Sequence, residues 1–242
     1  MVVSVPDAKL GLPRVLVDFG TGQNIPATLS SPEQYASGAQ TLYGIWDWDM
    51  TAWNAKKSVQ YAKLATAPTI TASKLQSQTI TNLTGNYRAV TNNPVCWSGS
   101  TNCTSGNTQF GWQVTLPESG EQVIFNPIIS NGAFIVNTLV PADNSPFSCS
   151  SYLPTGWTLA ISPTNGGSFS ESFFGDPNSN FPNINGSPVN GIALNATGSP
   201  SVVLADKKQF MVNQTNTGDG KANQINPPAG TKGGRLNWIQ LR

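Results

Sequence analysis

Short apolar runs, separated by polar turn residues, recur along the whole chain. Valine, isoleucine, leucine and aromatic residues cluster in the runs, while Gly, Asn, Ser, Thr and Pro fill the stretches between them. β-Branched and aromatic residues favour strands, and the intervening residues favour tight turns. The pattern predicts strands at 14–19, 42–48, 112–116, 122–125, 133–140, 157–161, 191–194, 208–212 and 236–241.

Helical periodicity is weak throughout. No stretch carries apolar residues at helical spacing for more than about three turns. The segment 51–64 contains Ala, Lys and Gln and is predicted to form a short helix. We therefore expect an all-β protein.

Three pairs of strand-like runs share one arrangement. In each pair an apolar run precedes, by about 25 residues, a second run with an aromatic residue near its start. The pairs are 14–21 with 42–46, 132–138 with 156–161, and 208–212 with 234–239. Repeated strand pairs are typical of propeller blades, although a sandwich with evenly spaced turns gives a similar pattern. We predict one domain over 1–242, a partial, modified β-propeller with antiparallel blades and long irregular loops.

Composition supports a folded chain and argues against a polyanionic partner. Seven Trp, 10 Phe and 5 Tyr are too many aromatic residues for a disordered chain. Thirteen basic residues nearly balance 12 acidic ones, and the only adjacent basic pairs are Lys56-Lys57 and Lys207-Lys208. Nucleic-acid binding needs clustered basic residues, so we do not expect it. No segment approaches the ~20 apolar residues of a membrane span.

Three cysteines allow at most one disulfide within the chain. Cys96 and Cys103 flank a polar loop and could close it in an oxidising compartment. Three unpaired thiols are the alternative, because spacing in sequence does not fix side-chain geometry. A metal site is not expected, since the chain has no C-x-x-C and no histidine.

The inventory of catalytic groups is poor. Without histidine there is no Ser-His or Cys-His pair and no ordinary general base near neutral pH. The chain also has neither a G-x-S-x-G elbow nor a P-loop. We predict that the protein is not an enzyme and has no catalytic residues.

Trp46-Asp47-Trp48-Asp49, with Trp53 nearby, admits two interpretations. Carboxylates beside indoles could form a sugar subsite, which makes a carbohydrate-binding or carbohydrate-active domain the alternative function. However, Asp47 and Asp49 lie about 7 Å apart on one strand face rather than on opposite sides of a substrate. We favour the structural interpretation, with the indoles packed inside and the acids in water.

Asp176, Asn178 and Asn180 begin like an oxygen-rich calcium loop. Phe181 occupies the sixth position, where such a loop needs Gly, and Ser187 occupies the twelfth, where it needs Glu. The segment is therefore predicted to be a turn. We expect no cofactor.

A series of segments in chain order resembles the C-terminal propeller of the PilY/PilC family of type IV pilus-associated adhesins and biogenesis factors. The segments are Val17–Gln23 (similar to F-G-T-G-[KR]-Y), Gln40–Asp47 (S-x-Y-A-I-W-D), Thr91–Val95 (S-N-N-P-V), Gly111-Trp112 (K-G-W), Gly120–Val123 (G-E-R-V), Asn126-Pro127 (D-P), Thr138–Pro141 (T-x-I-P) and Gly234–Leu241 (G-R-x-x-W-R-x-[LI]). Each match is weak alone, but together they cover nearly the whole chain.

The resemblance implies a non-catalytic module of pilus biogenesis and surface adhesion, in contact with pilins or minor pilins and with host or abiotic surfaces. It implies an extracellular or cell-surface location, with export directed by an upstream signal. In the family, calcium binds the propeller, but the Asp176-Asn178-Asn180 loop is degenerate. Three strand pairs are too few for a closed ring, so upstream blades and an N-terminal domain are expected outside this chain. A structural remnant without independent activity is the third interpretation.

Overall fold

The computed structural model describes residues 2–6, 11–26, 34–142, 149 and 151–228 of the 242-residue chain. The predicted strand at 236–241 and the motif at 234–241 lie outside these residues. In chain order the strands are β1 (Val2–Pro6), β2 (Pro13–Gly20), β3 (Thr41–Asp47), β4 (Gln76–Gln78), β5 (Ile80–Leu83), β6 (Tyr87–Val90), β7 (Gly111–Thr115), β8 (Ile128–Ser130), β9 (Ala133–Asn137), β10 (Thr158–Ile161), β11 (Asn183–Ile184), β12 (Ser187–Pro188), β13 (Gly191–Ile192), β14 (Ala196–Ala205), β15 (Lys208–Thr215) and β16 (Gly220–Ile225). The all-β prediction is confirmed.

Helical structure in the described chain is limited to one turn, α1 (Thr51–Asn54), and one 3₁₀ turn (Ala72–Lys74). The helix predicted over 51–64 therefore ends early. The side chain of Asn54 both donates to the carbonyl of Tyr61 and accepts from its backbone N–H. These two hydrogen bonds close a loop between Asn54 and Tyr61. A longer helix would instead need regular backbone hydrogen bonds through the same residues.

The strands form three larger sheets and a small ribbon. Sheet A has the order β1-β2-β3-β7-β4, sheet B the order β5-β6-β13-β10-β9-β8, and sheet C the order β14-β15-β16, while β11 pairs with β12. Neighbouring strands are antiparallel except β4 and β7, which are parallel. None of the sheets in the described chain closes on itself.

The chain crosses between sheets A and B several times. Thr79 alone separates β4 of sheet A from β5 of sheet B. After β6 the chain returns to sheet A as β7 and then re-enters sheet B as β8. Sheet C, by contrast, consists of three consecutive strands.

Sheet B contributes to two hydrophobic cores, one on each face. Phe134 and Val136 of β9 belong to a core shared with Leu42 and Trp112 of sheet A. Their neighbours Ala133 and Ile135 belong to a second core, shared with residues of sheet C that include Met211. Because successive side chains of a strand point to opposite faces, sheet B lies between sheets A and C. The complete burial of β9 follows from this position.

Two of the three predicted strand pairs are present. β2 pairs with β3, and β9 pairs with β10, both antiparallel. In the third pair, β15 is formed but 234–239 lies outside the described residues; β15 pairs with β14 and β16 instead. The packing of sheets A, B and C in series is compatible with a propeller. The described chain forms no closed ring, so the propeller remains a prediction.

The strand predicted at 122–125 is wrong. Gln122 makes only an isolated bridge to Leu139. Its side-chain oxygen accepts from the backbone N–H groups of Gln23 and Ala36, and Val123 donates to the carbonyl of Thr21. The segment ties the loops beside sheet A together, and Val123 packs into the core that sheets A and B share.

Candidate functional site

One face of sheet A carries apolar side chains that nothing in the described chain covers fully. We call it the outer face; it consists of Val15, Val17, Phe19, Tyr43 and Ile45. Val17 and Phe19 are 37% and 40% exposed, and the others are half-buried. Val17 lies opposite Ile45, and Phe19 lies opposite Tyr43 with ring centroids 5.4 Å apart. Contiguous apolar surface of this kind is typical of a contact site.

The opposite face of the same strands holds a buried carboxyl group, Asp18. Asp18 is 1% exposed, and neither of its side-chain oxygens has a hydrogen-bond partner in the described chain. Burial raises the pKa of Asp18 from 3.8 to about 8. Desolvation disfavours the charged form, so the folded protein favours a protonated carboxyl here. Asp18 lies opposite Gly44, where a Cβ atom would collide with Trp112 and Asp18.

The disulfide alternative is the correct one for the Cys96 loop. Cys96 and Cys103 are bonded, with their Cα atoms 5.4 Å apart, and Cys149 is a free, exposed thiol. Trp97, next to Cys96, packs edge-on against Trp46. The guanidinium of Arg14 lies 4.5 Å from the Trp46 ring centroid and 5.2 Å from that of Trp97. The loop is thereby held against sheet A.

The proposed sugar subsite at Trp46–Asp49 is not assembled. Trp46 is 2% exposed and belongs to the core, whereas Asp47 and Asp49 are exposed. Trp48 packs partly against the same core. Trp53 is 47% exposed and contacts Tyr61 and Lys57 instead. This burial agrees with the structural interpretation, because the indole of Trp46 lies in the core while Asp47 and Asp49 face the solvent.

A buried ion cluster centres on Arg88 of β6. Arg88 and Glu121 are both fully buried and form a bidentate pair, with N···O distances of 2.6 and 3.0 Å. The guanidinium also donates to Glu118 and Asn82 and lies 3.8 Å from the ring centroid of Trp157. Every charge in the cluster has partners, which is the condition for a tolerable buried ion pair.

Both carboxylates of this cluster accept further hydrogen bonds. Glu121 accepts a further bond from the Thr138 hydroxyl, and Glu118 accepts one from the Trp157 indole. The cluster therefore joins strand β6 to the loop after β7 and to the segments flanking β9 and β10. Its geometry is that of a structural clamp between these elements.

The Asp176 loop forms the predicted turn. One carboxylate oxygen of Asp176 accepts from the backbone N–H groups of Asn178 and Asn180, each at 2.8 Å. These bonds, chiefly that from Asn180, hold the pKa of the Asp176 carboxyl below its ordinary value. The second carboxylate oxygen accepts a longer bond, 3.3 Å, from the side-chain amide of Asn180. The donor set does not fit calcium, and no group of three or more His, Cys, Asp or Glu residues in the described ranges could hold a metal.

Asp18 and Arg88 were missed by sequence reasoning, although one signal was available for Asp18. It falls on the inward register of the run at 14–19, two residues after Leu16, so alternation alone places it in the core. No such pattern marks the Arg88–Glu121 pair, because its members are 33 residues apart on different elements.

No helix in the described part of the chain is long and apolar enough to cross a membrane. No protein-family model matches the chain, and no curated protein does. Among solved structures, it is similar to the crystal structure of the Pseudomonas aeruginosa PilY1 C-terminal domain, at 21% sequence identity and a TM-score of 0.62. The match covers 94% of this chain and 44% of that one, so this chain spans less than half of the solved domain. The resemblance predicted from the motif series is confirmed as a likeness of fold.

Proposed function

We propose that this chain is a non-catalytic part of a type IV pilus-associated surface protein, which acts in pilus biogenesis and surface adhesion by contact with other proteins or surfaces. The observation that carries the proposal is the fold likeness to the PilY1 C-terminal domain over 94% of the chain. The ordered series of sequence motifs supports it independently, because those motifs are a property of the amino-acid sequence alone.

The three sheets are proposed to be consecutive blades of a partial propeller. Two observations support this arrangement: sheets A, B and C pack in series through two cores, and sheet A leaves its outer face apolar. In a propeller each blade packs its faces against neighbouring blades. Under this proposal, another blade of a longer polypeptide covers Val17 and Phe19.

The proposed location is the cell surface or the extracellular space, with pilins or minor pilins as partners. The Cys96–Cys103 disulfide is compatible with an oxidising compartment.

A deletion strain tests the function. Removing the full gene from its natural host should reduce piliation, twitching and attachment, and the intact gene should restore all three. A copy lacking the region that encodes 1–242 should fail to restore them and to capture pilins. Normal piliation and attachment in the deletion strain would contradict the proposal.

The outer face is tested by replacing Val17 and Phe19 with threonine, which keeps strand propensity but removes apolar surface. Light scattering should show less self-association of residues 1–242 alone, because its uncovered apolar face is smaller. The matched control is Val203→Thr with Leu204→Thr, two exposed apolar residues on sheet C. Equal effects of the two double variants would show that the outer face has no special role.

A further inference from the structure

The loop that follows β3 carries an exposed aromatic cluster; we call residues 51–63 the Trp53 loop. Trp53 is 47% exposed, and its ring centroid lies 6.4 Å from that of Tyr61. The ammonium of Lys57 lies 5.9 Å from the Trp53 ring centroid, and Val59 is 57% exposed. A single exposed apolar residue is ordinary on a protein surface, but two aromatic rings and a valine on one short loop concentrate apolar surface there.

Hydrogen bonds order this loop. The side chain of Asn54 bonds twice to the backbone of Tyr61, and the side-chain amide of Gln60 donates to the carbonyl of Asn54 at 2.8 Å. The end of the loop is anchored to sheet A, because the backbone N–H of Ala62 donates to the carbonyl of Pro13 and Ala62 lies in the core. A preordered loop loses little conformational entropy on binding, so more of its contact energy contributes to affinity.

The charged groups of the Trp53 loop are all basic. They are Lys56, Lys57 and Lys63, and all three residues are exposed. The sequence contains no Asp or Glu between Asp49 and Glu118. Asp49 comes just before the loop, yet no carboxylate among the described residues lies within ion-pair distance of these three ammonium groups. Positive charge that is unpaired in this way favours a partner with an acidic surface.

The combination of groups on the loop is typical of a protein–protein contact. Trp and Tyr are enriched among the residues that supply most of the binding energy of such contacts, and polar groups surround them at the rim. A nucleic acid would need a wider basic surface than three lysines provide. The exposed indole of Trp53 and its ring of ammonium groups therefore fit an acidic protein best.

We infer that the Trp53 loop is a contact site for an acidic protein surface, with Trp53 buried in the contact and the three lysines facing carboxylates around it. The inference rests on the proposed function, under which the partner is a pilin or minor pilin, and it adds the place of contact. That place is separate from the outer face, which another blade is proposed to cover.

The test measures binding of the intact gene product to pili purified from its natural host, by biolayer interferometry. Trp53→Ala should weaken the affinity by about tenfold or more, because the residue buried in the contact is removed. Lys56→Glu combined with Lys57→Glu should lower the association rate constant by about tenfold. Wild-type affinity should also fall as sodium chloride is raised from about 50 to about 500 mM. Because the replaced side chains are exposed, the variants should melt at the wild-type temperature.

The chain offers a matched control for each change. Lys207→Glu with Lys208→Glu reverses the charge of its other adjacent basic pair, which is exposed at the turn between β14 and β15. Leu204→Ala removes an apolar side chain of a residue that is 73% exposed. Both controls should bind pili as the wild type does. Wild-type affinity in Trp53→Ala, or equal losses in the two lysine variants, would overturn the inference and leave the proposed function standing. Failure of the wild type to bind pili would contradict both.

Discussion

Replacing Asp18 by asparagine should stabilise the protein, and by an amount that grows with pH. Asp18 is buried in the inner face of sheet A without a hydrogen bond to either oxygen. Asparagine has nearly the same shape but cannot ionise. The variant therefore removes the titration of this group while leaving the surrounding packing in place.

The sign of the change in the free energy of unfolding follows from the direction of the pKa change. Burial raises the pKa of Asp18 from 3.8 to about 8, so the folded protein retains a proton that the unfolded chain releases near pH 4. Below about pH 4 both states are protonated and the wild type carries no ionisation penalty. As pH rises towards about 8 the unfolded state gains stability by about 1.4 kcal/mol per pH unit. The full penalty is on the order of 6 kcal/mol, of which about 4 kcal/mol is present at pH 7.

The assay is urea unfolding followed by tryptophan fluorescence at several pH values between about 4 and 8. The difference in free energy of unfolding between Asp18→Asn and the wild type should be small near pH 4 and should increase steadily as the pH approaches about 8. Asp47→Asn, which removes an exposed carboxylate from the same sheet, is the matched control. Parallel stability curves for the wild type and Asp18→Asn would refute the reasoning that Asp18 is protonated in the fold.

Three further changes test other parts of the structure. Cys96→Ser should lower the free energy of unfolding by about 2–3 kcal/mol through loss of a short loop closure, and an unchanged urea midpoint would argue against a stabilising disulfide. Glu121→Gln should lower the free energy of unfolding by about 3–5 kcal/mol, because Arg88 keeps its charge in a buried site. A decrease of less than about 1 kcal/mol, measured by thermal melting, would show that the ion pair is not buried as described. Gly44→Ala should lower it by about 1–3 kcal/mol because the added methyl group collides with Trp112, and calorimetry showing wild-type stability would contradict that contact.

Sequence patterns located strands best where one face is buried and the other is not. β2 was predicted nearly to its ends because its inward and outward residues alternate over Arg14–Phe19. β16 was missed because Gly220–Ile225 is mostly polar and exposed, so its strand structure depends on pairing with β15. Pairing between distant segments, such as β4 with β7, leaves no local signal at all.

The candidate sites were less predictable, for a related reason. The Trp46–Asp49 segment is conspicuous in the sequence, yet core packing buries its first indole and separates it from Trp53. The buried pair of Arg88 and Glu121 joins residues that are 33 positions apart on different elements, and only the fold brings them together. Composition and motif spacing describe one stretch of chain at a time, so they do not predict contacts between segments that are distant in sequence.

The single residue between β4 and β5 has a mechanical consequence. Because Thr79 joins sheet A to sheet B, and β7 returns the chain to sheet A, neither sheet can be pulled apart without disturbing the other. Sheet C is made of consecutive strands and can open one hairpin at a time. We expect tension applied through the C-terminal end to unravel sheet C first, while sheets A and B share the load and yield together.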